Sequence, residues 1–217
     1  MAIKIGVISQ KGGVGKSSLV RALARDYAAG DWRVKIADFD LKQKTSVDWA
    51  AQRLDLKVEP VVEAQNFATV KAATAQDGDY DLIVFDGRAQ ADELSLEVAV
   101  VSDAVLIPTG TANDDLNPQI RLAHALVKNG VARDKIRFAI TRAEDSDKAV
   151  AEAKDYITRA GYSVLDAVWP EKAAFKRAHD VGRAGTEVSH LKPRVAVKRL
   201  IEEIAAFVST RTQGAST

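Results

Sequence analysis

Cysteine is absent from the 217 residues, and methionine occurs once, at the start. Without thiols there is no disulfide framework, no thiolate zinc or iron–sulfur site and no cysteine nucleophile. Aromatic residues are few, at 6%, and the three histidines, His124, His179 and His190, show no metal-ligand spacing. Neither sign of charge prevails. The 31 Lys and Arg face 30 Asp and Glu, a net charge of +1, which excludes a wholly basic nucleic-acid coat but not charge gathered on one face. No apolar run approaches the roughly 20 residues of a membrane span. The start, Met1 to Ser9, also lacks the basic region and long apolar core of a secretory signal. A cytoplasmic location is expected. What remains, 47% hydrophobic and 28% charged, is the balance of a soluble globule long enough for one well-cored domain.

Short β-branched apolar runs alternate with longer helical stretches. The pattern predicts strands over 3–9, 33–39, 57–62, 80–86, 104–108, 135–141 and 163–168. Helices are expected over 17–29, 45–54, 66–75, 92–101, 117–129, 146–160, 171–181 and 195–210. Near-continuous Val/Ile runs indicate strands buried on both faces, and strict strand–helix alternation indicates parallel pairing. The fold class is α/β: a single doubly wound, mostly parallel sheet with helices on both faces. No linker, repeat or low-complexity segment divides it, so residues 1–210 read as one domain and 211–217 as a frayed polar tail.

Between the first strand and the first helix stands Ser9-Gln10-Lys11-Gly12-Gly13-Val14-Gly15-Lys16-Ser17-Ser18. Glycines at this junction let the backbone turn tightly, so that successive N–H groups face a phosphate at a helix N-terminus. Lys16 is expected to reach the β- and γ-phosphates, and the Ser17 hydroxyl to ligate Mg²⁺. The pattern G-x-x-x-x-G-K-[ST] is not met, because Gln10 stands where its first Gly belongs, and a second lysine stands at position 11. Asp38-Phe39-Asp40 ends the second strand, at the sheet edge where ligands of such folds sit. The apolar run ending in Asp86 has the form of a Walker B element whose carboxylate reaches Mg²⁺ directly or through water.

The loop K-G-G-x-G-K-S resembles the deviant Walker A motif of the ParA/MinD family of P-loop ATPases. The resemblance runs over about residues 3–208 and is most specific in the loop. It implies ATP and Mg²⁺ as cofactors, with Lys11, Gly12, Gly13, Val14, Gly15, Lys16, Ser17 and Ser18 holding the nucleotide. In that family the lysine matching Lys11 crosses a nucleotide-sandwich homodimer to touch the partner's phosphates, which makes Lys11, Lys16 and Asp40 the expected catalytic residues. Asp38 is placed near the Mg²⁺ waters, with Ser17 and Asp86 as the other metal residues, and Asp40 orients the attacking water. Leu41 stands where the family usually has Pro, and Gly87-Arg88-Ala89 replaces its usual Pro-Gly or Gly-Ala-Gly. Ile107-Pro108-Thr109 with Asp114-Asp115-Leu116 is similar to a segment that helps build the dimer face. Thr141-Arg142 is similar to a strand end near the adenine, and the backbone of residues 170–173 is expected to close the other side of the base.

The first strand begins at residue 3, leaving no room for an N-terminal helix-turn-helix, so the short ParA type is expected. Zero cysteine removes the family's thiolate-dependent branches. From Glu171 onward nine basic side chains stand against five acidic, +4, while residues 1–170 carry 22 against 25, −3. Such an end can bind DNA phosphates without sequence preference, or be a solvated charged face. The stripe Val197, Leu200, Ile201, Ile204 and Val208 fits packing on the sheet better than a membrane surface, since Glu202 and Glu203 weaken attraction to anionic lipid. The implied function is an ATPase that dimerises with ATP, binds nonspecific DNA of the nucleoid and hydrolyses slowly. A ParB-like, centromere or cargo-adaptor protein would stimulate it, to segregate plasmid or chromosomal DNA or to position a cargo. The alternatives are an ATP-dependent ligase of the dethiobiotin-synthetase type, a MinD-like membrane-associated positioning ATPase, and a nucleotide switch without turnover.

Overall fold

The computed structural model describes residues 1–43, 45–90 and 92–213. Its strands are β1 (Ile3–Ser9), β2 (Val34–Asp38), β3 (Glu63–Asn66), β4 (Leu82–Ala89), β5 (Ala104–Thr109), β6 (Ile136–Ile140) and β7 (Ser163–Val164). They form one parallel sheet in the order β3-β2-β4-β1-β5-β6-β7. The helices are α1 (Lys16–Ala28), α2 (Thr45–Asp55), α3 (Val70–Thr74), α4 (Glu93–Val101), α5 (Asn113–Lys128), α6 (Asp147–Arg159), α7 (Ala173–His179) and α8 (Leu191–Gln213).

Strand alternation divides the apolar side chains between two cores. In β4, Leu82 and Val84 face the layer of α1, α2, α7 and α8, while Ile83 and Phe85 face the layer of α3 to α6. The same parity carries the site. Asp86 follows Val84 and Asp38 follows Ile36, so both carboxylates project on the α1 side, and they are direct register partners across β2 and β4. β1 lies between β4 and β5, so the chain reverses its winding beside β1, the place where doubly wound sheets open a crevice. The apolar stripe of α8 is buried in the first core: Val197, Leu200, Ile201, Ile204 and Val208 all pack there. None of the described helices is long and apolar enough to cross a membrane.

Several element bounds differ from those expected, each for a local reason. The third strand is not 57–62 but Glu63–Asn66, because the carbonyls of Glu59 and Pro60 are taken by the Arg53 guanidinium at 2.7 Å each and are unavailable to a ladder. α3 starts only after Thr69, whose hydroxyl caps it by accepting from the Ala72 N–H. β7 stops at Val164, because the Asp166 and Ala167 amides donate to the Glu203 carboxylate instead. α5 begins at Asn113 rather than 117 and contains Pro118. α8 runs from Leu191 to Gln213, taking in the start of the expected tail, and residues 214–217 lie outside the described residues.

Arg53, on α2, is fully buried and uses all five of its N–H groups. Nε and one Nη2 hydrogen serve Pro60 and Glu59, Nη1 reaches the Gly182 carbonyl at 2.9 Å, and the remaining pair grips the Glu187 carboxylate at 2.7 and 3.0 Å. Burial pushes the Glu187 carboxyl up, but Arg53, the Ala184 N–H and Arg25 outweigh it and hold the group below its ordinary value. Arg53→Met removes the bidentate partner of this carboxylate and leaves it only Arg25 and the Ala184 N–H, and it strips three backbone carbonyls of their donor. We expect a loss of about 3–5 kcal/mol in the unfolding free energy at pH 7, measured by urea denaturation.

Candidate nucleotide-binding site

β1 delivers the chain to the loop, and α1 receives it. Gly13 and Gly15 take φ of 77° and 84°, the left-handed region closed to most side chains, and Gly15 is the residue before the helix. No side chain caps α1 and no acidic residue occupies its first turn, so the Lys16, Ser17 and Ser18 amides are left for an anion, with the helix dipole behind them. The loop is braced from the end of β6. The Thr141 hydroxyl donates to the Val14 carbonyl at 2.6 Å, and Arg142 Nη1 to the Gly13 carbonyl at 2.8 Å. Arg142 is held in turn by Glu171 through Nε at 2.7 Å.

On one side of the loop is a cleft of about 360 Å³ lined by Lys16, Ser17, Asp38, Asp40, Asp86 and Arg21 among others. Lys16, Ser17, Asp38, Asp40 and Asp86, taken from three separate stretches of sequence, therefore meet in one place. Asp38 and Asp86 are 1% and 2% exposed. Ser46 joins them: its N–H donates to Asp38 Oδ2 at 3.1 Å and its hydroxyl to Asp86 Oδ2 at 2.6 Å. Burial, then the charge of Asp86, raises the Asp38 carboxyl to about 6. Asp86 is also pushed up, by burial above all, against the pull of Ser46, Lys16 and Arg21. Burial lowers the Lys16 ammonium in spite of Asp86, Asp40 and Asp38. Asp40 is partly exposed, and its Oδ1 accepts the Lys42 and Gln43 amides at 3.1 and 2.9 Å.

The residues present fit a divalent cation. Asp86 Oδ1 is buried with no hydrogen-bond partner among the described residues, and two carboxylates forced together are each pushed toward protonation. Ser17 supplies a hydroxyl beside them, in contact with the Thr45 hydroxyl at 3.1 Å. No group of three or more His, Cys, Asp or Glu among the described residues forms a metal cage by itself. The ion would therefore draw ligands from phosphate and water as well, as Mg²⁺ commonly does.

On the other side of the loop is a cleft of about 520 Å³ lined by Thr141, Arg142 and residues 169–173, with Phe175, Lys176 and His179 beyond. Trp169 and Phe175 form its aromatic wall, with ring centroids 5.2 Å apart. The residues expected near the base thus line one cleft, though Thr141 and Arg142 also spend hydrogen bonds on the loop itself. Lys11 stands on the loop's outer flank. Pro118 has no N–H, so the carbonyl four residues earlier, that of Asp114, lacks its helical donor. The Lys11 ammonium reaches that carbonyl at 3.4 Å and pairs with the Asp115 carboxylate. Arg88 pairs with Asp92 at 3.0 Å on the surface.

Sequence reasoning missed Ser46, Thr45, Arg21 and Gln119. Ser46 sits in an ordinary-looking helix start and shows its role only when β2 and β4 lie side by side. Gln119 is buried and accepts the Gln10 N–H at 3.0 Å, a contact over a sequence separation of 109 residues that no local pattern carries.

A parallel sheet whose central strand runs through a glycine loop onto an uncapped helix, with a lysine in the loop and paired carboxylates opposite, defines a P-loop nucleotide-binding protein. Residues 5–184 match the CobQ/CobB/MinD/ParA nucleotide binding domain, and the chain belongs to that family. No curated protein matches it in sequence. Among solved structures it is similar to the cell division ATPase MinD of Pyrococcus furiosus, at 19% identity and TM-score 0.75, over 95% of this chain and 99% of that one. It is similar to MinD of Pyrococcus horikoshii complexed with Mg-ADP, at 16% and 0.73, over 97% and 99%. A plasmid partition protein of Borrelia burgdorferi, described as putative and bound to AMPPNP, matches at 18% and 0.68, over 97% and 100%. The ligands of these neighbours agree with the ATP and Mg²⁺ expected from the loop.

Because the Asp38 and Asp86 carboxyls are raised in the folded chain, these two groups contribute stability that is full below about pH 4 and is lost as pH rises, for Asp38 through about 6. Asp86→Asn keeps an acceptor for Ser46 and removes one charge. It is expected to stabilise the nucleotide-free protein by about 1–3 kcal/mol at pH 8 and by much less at pH 4.5, in urea titrations at the two pH values.

Proposed function

We propose that this chain is a ParA-type ATPase that closes a sandwich dimer on ATP, binds DNA without sequence preference and hydrolyses ATP slowly until a partner protein stimulates it. The observation that supports the reading best is Lys11. A second lysine is held at the outer edge of the phosphate loop by Asp115, with its side chain 41% exposed, which supports a role toward another copy. Lys16 and the α1 amides would hold the β- and γ-phosphates. Ser17, Asp86 and Asp38 would hold Mg²⁺, which supplies neutralisation of phosphate charge. Asp40 would orient the water that attacks the γ-phosphorus as the bond to the bridging oxygen breaks, giving ADP and phosphate. The partner copy's lysine would offset the charge spread over the transferring group, as an arginine finger does.

Charge placement supports DNA as the track. Of the nine basic residues from 171 onward, Lys172 pairs with Asp145 and Arg211 with Asp134; the other seven have no acidic partner within 4.0 Å among the described residues. They lie on α7, on α8 and between them, and dimerisation would double the surface. Such a cycle moves plasmid or chromosomal DNA or positions a cargo on the nucleoid. A MinD-like ATPase working at a membrane is the second reading, supported by the likeness to two MinD structures.

Light scattering is expected to show a dimer with ATP and a monomer with ADP, and Lys11→Ala to abolish the dimer; a Lys11→Ala dimer that persists would sink the mechanism. Binding of random duplex DNA with ATP should weaken steeply with salt. Removing Lys198 and Arg199, two cations from each copy of the dimer, should flatten the log–log slope by about 4. Binding to anionic vesicles in place of DNA would select the MinD-like reading.

A further inference from the structure

Arg21 is a cation of the phosphate cleft that neither the loop pattern nor the carboxylates call for. It lies four residues after Ser17 on α1, hence on the same helix face, and is 9% exposed. An arginine buried this far needs its charge answered and its five donors used. Nη2 donates to the Thr45 carbonyl, and the Thr45 hydroxyl bonds that of Ser17, so the guanidinium is one residue removed from the metal-site hydroxyl. The guanidinium stands over the Trp49 ring at 5.7 Å, a contact that fixes its place without neutralising it. Its Nε is buried with no hydrogen-bond partner among the described residues. The charges that answer it are Asp86 first, then Asp38 and Asp48.

Resting on the reading of this cleft as a nucleotide–Mg²⁺ site, we propose that Arg21 is a positioning residue that acts as a built-in counter-cation for the Asp38–Asp86 pair and so reduces the dependence of nucleotide binding on Mg²⁺. Two consequences oppose each other. Without metal, the fixed positive charge under Ser17 offsets the paired carboxylates and makes the cleft tolerable to a polyphosphate. With metal, the same charge repels the ion and takes back part of its benefit. A residue with only a packing role would change nucleotide affinity equally in both conditions. A counter-cation changes the ratio.

The test is titration of the full-length protein with a fluorescent ADP analogue, once in EDTA and once in Mg²⁺, for the wild type, Arg21→Lys, Arg21→Gln and Arg21→Met. The wild type is expected to bind in EDTA within about tenfold of its affinity in Mg²⁺. Arg21→Gln and Arg21→Met are expected to raise the stimulation by Mg²⁺ about tenfold, the effect of one unit charge moved within a partly buried site. Arg21→Lys, which keeps the charge and loses the fork on Thr45, should stay near the wild type. An unchanged ratio in folded Arg21→Gln or Arg21→Met overturns the proposal. If both neutral variants fail to fold, a wild-type stimulation of a hundredfold or more overturns it alone, and one within tenfold upholds it. No ADP binding by the wild type in either condition overturns the nucleotide-site reading, and the role of Arg21 with it; binding with an unchanged ratio overturns only the latter.

Discussion

Asp38 and Asp86 occupy opposite positions on neighbouring strands, on the same face of the sheet, and both are almost wholly buried. Two carboxylates so placed cannot both be ionised without nearby positive charge. Much of the surrounding site can be understood as an answer to that condition. Lys16 and Arg21 approach from α1, and Ser46 divides its N–H and hydroxyl between the two acids. The cleft thus gathers two carboxylates whose ionisation burial disfavours.

The same economy governs the loop's outer flank. A proline inside α5 removes one helical hydrogen bond, and the carbonyl it leaves bare becomes half of the seat for Lys11, with Asp115 the other half. A lysine seated in this way is retained on its own chain at modest cost, because the pair is partly exposed and screened by water. It can be given up to a stronger anion. In the proposed sandwich dimer the polyphosphate of a facing copy would be such an anion.

Much of this was legible from residues alone. Near-continuous apolar runs such as Leu82 to Phe85 identify buried parallel strands, and the glycine–lysine–serine run between strand and helix locates the phosphate loop. Strand ends identify Asp38 and Asp86 as site residues. What could not be read were contacts made by topology. Ser46 acquires its role from the adjacency of β2 and β4, and Gln119 from the adjacency of α5 and the loop. The third strand was misplaced because Val58, Val61 and Val62 look like a strand in sequence, whereas a buried arginine from the preceding helix had claimed the backbone around them. Local propensity lost there to a long side chain.

That arginine also bears on how the molecule can move. Arg53 fastens the C-terminal end of α2 to the loop at Gly182 and to Glu187, while Ser46 at the opposite end touches both carboxylates. The helix between them has 11 residues, a rod of about 16 Å. A rod fixed at one end and resting on the nucleotide site at the other is a lever. Through it the geometry of the carboxylate pair is tied to the loop at Gly182 and to Glu187.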